Sequence, residues 1–69
     1  MRTIKAFSGQ NYTVTLIEGV TGLYYVTVSY TYDREPYMSK PIAEMYNALW
    51  IFDAKHFEAE VGMANPYAA

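Results

Sequence analysis

Asp53, His56 and Glu60 are the residues in this chain whose types and spacing come nearest to chemistry. They stand at i, i+3 and i+7, so a helix brings all three to one side. Two carboxylates and an imidazole so placed are the weak candidate set for a divalent cation. They are equally a candidate acid–base group, which gives a metal-dependent or acid–base enzyme as one alternative reading. A solvated polar end of an amphipathic helix accounts for the same residues and is the preferred reading. Structural zinc takes four ligands, the chain has no cysteine and one histidine, and no motif marks a nucleophile nearby. No catalytic residue, cofactor or metal is therefore assigned. The glycines form neither a GxGxxG nor a Walker pattern, so phosphate cradling has no support.

The element that positions these residues is the stretch SKPIAEMYNALWIFDAKHFEAEVG, Ser39 to Gly62. It predicts a helix over about 40–61, with Ser39 as N-cap, Pro41 in the first turn and Gly62 at the C-terminal stop. Residues 63–69, with Pro66, read as a frayed tail. On a wheel of about 100° per residue, Ile42, Met45, Tyr46, Leu49, Phe52 and Phe57 form the expected core face, with Ala43 and Trp50 on its flank. Ile51 falls among polar residues. A helix of this length spans about 33 Å and a seven-residue strand about 23 Å. The later turns, from Ile51 to Glu60, are therefore expected to run beyond the sheet.

Ahead of the helix, alternation predicts three strands, at about 2–8, 12–18 and 23–32. Ser8-Gly9-Gln10-Asn11 and Gly19 to Gly22 are the turns, with glycine available for positive φ. The expected architecture is α+β: a three-stranded antiparallel meander followed by one C-terminal helix packed on one face, β-β-β-α, as a single domain over 1–69. Tyr12, Val14, Leu16, Val26, Val28 and Tyr30 should lie under the helix. Thr3, Lys5, Phe7, Thr13, Thr15, Ile17, Leu23, Tyr25, Thr27, Ser29 and Thr31 should form the opposite, uncovered face.

Composition bounds the function. A 69-residue domain buries only about 60% of the surface its unfolded chain exposes. Such domains rely on disulfides, metals or association, and the first is excluded by the lack of cysteine. A hydrophobic content of 52% argues against disorder. The net charge of −2 argues against nonspecific nucleic-acid binding, which needs a concentrated basic patch. There is no apolar run of membrane-spanning length and no signal-peptide pattern at the start, so a cytoplasmic location without membrane contact is expected.

Tyrosine is the most unusual feature, with eight in the chain. Tyr is amphipathic and enriched at interfaces. The leading reading is a small non-enzymatic interaction module, homo-oligomeric and most simply dimeric, that binds or modulates another cellular protein. Its candidate contact residues are Trp50, Ile51, Phe57, Phe7, Ile17, Leu23, Tyr25, Tyr32 and Tyr37. The alternative is a single-stranded nucleic-acid binder that stacks bases on Tyr25 and Phe7 beside Lys5. Asp33-Arg34-Glu35 reads as a solvated turn guarding a strand end.

The element order is similar to that of small DNA-binding modules of the integrase-arm and plant AP2 kind. Those use a basic sheet face. Here the face is Thr-rich with only Lys5, a departure that argues against DNA. The short, acidic, cysteine-free, aromatic-rich profile also resembles small phage-encoded proteins, in composition and not in any motif.

Overall fold

A computed structural model describes residues 1–64. Strands β1 (Arg2–Ser8), β2 (Tyr12–Glu18), β3 (Tyr24–Tyr30) and β4 (Tyr37–Met38) form one antiparallel sheet in the order β1-β2-β3-β4. Helix α1 (Met45–Ala64) crosses one face. The class and the meander are as expected from alternation. The fourth strand is an addition, and β3 is shorter than expected, ending at Tyr30.

The β1–β2 turn uses Asn11 at φ 78°, so Asn and not glycine takes the left-handed position there. Gly9 serves a different purpose. The Tyr12 ring folds back over it, and a Cβ at position 9 would collide with that ring. In the next turn Gly22, at φ 82°, does supply the left-handed residue.

Opposed residues of β2 and β3 pair as Tyr12–Tyr30, Val14–Val28 and Leu16–Val26. Five of these six are fully buried beneath the helix, and Tyr30 packs half-buried beside them. Strand β1 departs from simple alternation. A bulge between Thr3 and Lys5 shifts the register, so that Lys5 opposes Leu16 and Phe7 opposes Val14. Both therefore project on the helix side, and Ile4 packs against the core. Ala6 and Ser8 take the open face, opposite Thr15 and Thr13. The expected placement of Lys5 and Phe7 on the open face is thus corrected by one inserted residue.

The helix begins later than expected because residues 39–42 have another use. The Ser39 N–H donates to the Val26 carbonyl (2.9 Å), and the Val26 N–H donates to the buried Ser39 Oγ (2.9 Å). Ile42 exchanges two backbone hydrogen bonds with Tyr24. The segment is a strap along the β3 edge. Ser39 is committed to that edge and does not cap the helix. The Glu44 carbonyl instead accepts the Ala48 N–H (3.1 Å), which closes the first helical turn. At the other end Gly62 does not stop the helix, which runs on to Ala64. The expectation of a frayed tail lies, from residue 65 on, outside the described residues.

The rotation of the helix also differs from the expected one. Its buried residues are Ala48, Phe52 and Ala59, flanked by half-buried Met45, Leu49, Ile51, Lys55 and His56. Tyr46 and Phe57, expected in the core, are exposed. Ile51, expected at a partner, packs against the core. Contact with the sheet continues to the last turns, because Ala59 is buried and Glu60 meets Tyr12. The helix therefore does not leave the sheet at Ile51.

Two substitutions test this seating by urea unfolding at fixed chain concentration. Phe52→Ala should lower stability by about 3–5 kcal/mol. Ser39→Ala leaves the Val26 N–H without its acceptor and should cost about 1–3 kcal/mol.

Candidate functional site

The surface that stands out is the outer side of α1. Tyr46, Trp50, Phe57 and Val61 are 78, 69, 71 and 45% exposed. At about 100° per residue they fall within an arc of about 60°. Ala48, Phe52 and Ala59 occupy an arc of about 40° on almost the opposite side. The helix thus has two apolar faces, one on the sheet and one in solvent. Scattered exposed apolar residues are ordinary, but an aligned aromatic row is the kind of patch that marks an interaction site.

The alanines explain which face turned inward. Small side chains at 48 and 59 let the helix approach the sheet, with Phe52 as the fully buried large side chain between them and Leu49 and Ile51 packed at its edges. The strap at 39–42 fixes the phase at which the chain enters the helix. Polar contacts along the flank then hold that phase. Lys5 Nζ lies 4.9 Å from the Phe52 ring centre and 3.8 Å from Asp53 Oδ1. Lys55 Nζ lies 4.0 Å from the Tyr37 ring centre and pairs with Glu58 at 3.3 Å.

The three residues of chemical promise are not brought together. Asp53 faces Lys5. The His56 ring stacks on Phe7, with centres 4.0 Å apart. Glu60 accepts a hydrogen bond from the Tyr12 hydroxyl. Among the described residues no three His, Asp or Glu side chains are grouped closely enough to hold a metal ion. The sequence spacing was right for one side of a helix, but each side chain is drawn to a different partner on β1 or β2.

The expected contact residues divide among several environments. Trp50 and Phe57 are on the outer helix face. Phe7 lies under His56, on the helix side of the sheet, and Tyr25 lies on the open side opposite Ile17. Lys5, Phe7 and Tyr25 therefore do not share a face for stacking bases. The Tyr32 ring packs against that of Tyr30, centres 5.5 Å apart and tilted by 54°, and the Arg34 guanidinium lies 4.6 Å from the Tyr30 ring centre. Tyr37 is half-buried beneath Lys55, and Leu23 is half-buried where its carbonyl accepts the Gly19 N–H.

Ile17 and Tyr25 line a second feature. With Met1, Val20 and Met38 they surround an open-sided apolar hollow of about 410 Å³ at one end of the uncovered sheet face. The remainder of that face is Thr- and Ser-rich, with Thr15 opposite Thr27 and Thr13 opposite Ser29. Tyr46, Val61, Val20 and Met38 are exposed apolar residues outside the expected contact set. The 4-7-4 spacing of Tyr46, Trp50, Phe57 and Val61 is a signal that could have found the outer row. Among the described residues no helix is long and apolar enough to cross a membrane.

Compared with known protein families, with curated protein sequences and with solved structures, the chain gives no match.

The Tyr12–Glu60 contact generates a pH prediction. Burial of the phenol, then its hydrogen bond to Glu60 and the charge of that carboxylate, push the Tyr12 pKa up from 10.0 to about 12. In the unfolded chain the phenol ionises first, so the folded state holds a proton that the unfolded state has lost. Stability from this contact is complete below pH 10 and is lost as pH rises towards 12. Urea midpoints should fall across that window, and the Tyr12→Phe variant should fall less. Glu60→Gln should move the highest tyrosinate transition, followed by ultraviolet absorbance, to lower pH.

Proposed function

We propose that this chain is a small non-enzymatic protein-interaction module, with the outer face of α1 as its contact surface. The observation that carries the reading is the aligned exposure of Tyr46, Trp50, Phe57 and Val61 on the side of the helix turned away from the sheet. Three aromatic side chains offer large, stiff contact area at low entropic cost, and Trp and Tyr lead the residues that dominate binding energy at interfaces. The fold does not use them. A protein that covers them accounts for their place on an otherwise well-packed helix.

In this reading the chain acts by occupying another protein, and its effect is modulation and not turnover. The apolar hollow at Met1, Ile17, Val20, Tyr25 and Met38 is a second surface, on the opposite side of the molecule, available to a different protein.

A photo-activated cross-linking side chain placed at position 57 tests the proposal in cells that make the protein. The expected result is a product containing a second polypeptide chain, with none from the same group at Ser29 on the open sheet face. No product from position 57 would remove the outer helix face as the contact surface. Trp50→Lys should abolish that product and, compared at chain concentrations low enough that both proteins are monomeric, leave the unfolding free energy within about 0.5 kcal/mol of the parent, as for a surface change away from structural features.

A further inference from the structure

The row on α1 has an internal symmetry. Positions 46, 50, 57 and 61 are symmetric about the midpoint between Asp53 and Ala54. Laid antiparallel against itself, the row places Tyr46 opposite Val61 of a second copy, Trp50 opposite Phe57, and Asp53 opposite the small Ala54. A two-fold interface requires self-complementarity of this kind, since the contact of residue i with j must be matched by that of j with i. We infer that the occupant of the outer helix face is a second copy of this chain, packed helix to helix in antiparallel two-fold fashion with its axis at Asp53–Ala54. The inference rests on the proposed interaction role and assigns the partner at that same surface.

The available area agrees. At roughly 200 Å² per aromatic side chain, the exposed parts of Tyr46, Trp50 and Phe57 amount to about 450 Å² per chain. If the whole row is covered, two copies with Val61 bury about 1,000 Å², the small end of biological interfaces. The central Ala54 lets the axes approach, and the bulky pairs lie to either side of it. Tyr46 and Val61 are separated by about 22 Å along the axis, so the contact extends over four turns. Charge is the opposing term. Asp53 of each copy lies close to the axis, and each has Lys5 at 3.8 Å as a counter-charge. Self-association should consequently tighten when salt screens the remaining repulsion.

The absence of native cysteine allows a direct register test. Ala54→Cys lies beside the proposed axis and should oxidise readily to a disulfide-linked dimer of twice 7.9 kDa. Val61→Cys lies at opposite ends of the two antiparallel helices and should not. The unmodified chain should sediment as a dimer at micromolar concentration, and emission of the single Trp50 should shift to the blue as concentration rises. Trp50→Lys should weaken association at least about tenfold, and Asp53→Asn should tighten it several-fold. A strictly monomeric species at all concentrations, or equal disulfide formation at positions 54 and 61, would overturn the inference. A monomer that still cross-links from position 57 to a different protein would overturn the second copy while leaving the interaction role standing. Loss of cross-linking as well would remove both.

Discussion

The closeness with which α1 lies on its sheet governs the rest of the molecule. Ala48 and Ala59 allow the approach, and Phe52 fills the space between them above the Val14, Leu16, Val26 and Val28 layer. Larger side chains at the alanine positions would lift the helix and leave voids around Phe52, and voids are costly in a domain with so little core. Once those three residues face inward, helical geometry leaves no choice about Tyr46, Trp50 and Phe57. The outer aromatic row is the counterpart of the inner small-residue seat.

The second organising event is a single extra residue in β1. The bulge turns Lys5 and Phe7 under the helix, where a regular strand would have aimed them at the open face. There they engage Phe52, Asp53 and His56, and the neighbouring Tyr12 reaches Glu60. These contacts pin the flank of the helix along its length. Asp53, His56 and Glu60, which share one side of the helix by spacing, are three separate attachments to the strands beneath.

Much of the sheet was legible because strand periodicity is a two-state matter. Tyr12, Val14 and Leu16 must share one side of β2, and Val26 and Val28 one side of β3, so pairing the two strands predicts the core. The helix was legible as an element but not in its rotation. The wheel offered one broad core face, from Phe52 through Leu49 and Ile42 to Tyr46 and Phe57, and the helix sits on one edge of it, at Ala48, Phe52 and Ala59. Tertiary fit selects that edge, and a wheel of residue types carries no information about it. The bulge carries no marker in RTIKAFS, and it displaced Lys5 and Phe7 together. The strap was hidden because Ser39 and Pro41 are as suitable for a helix start as for an edge segment. Its role depends on Val26, thirteen residues earlier. The outer row was partly visible: Trp50 and Phe57 are among the expected contact residues, but the wheel also places Phe57, with Tyr46, on the core face.

The Ser39 strap has a consequence for how association can end. A β-branched, tyrosine-rich sheet with an unpaired margin is a template on which further strands add without limit, and that route leads to fibres. Here the β3 margin is already occupied, by a serine hydroxyl at Val26, by Ile42 at Tyr24 and by the short β4 at Thr27 and Val28. At the far margin the bulge interrupts the regular spacing of strand β1. Backbone-mediated growth is blunted at both sides. The hydroxyl of one serine thus helps to keep a tyrosine-rich sheet from serving as an open-ended template.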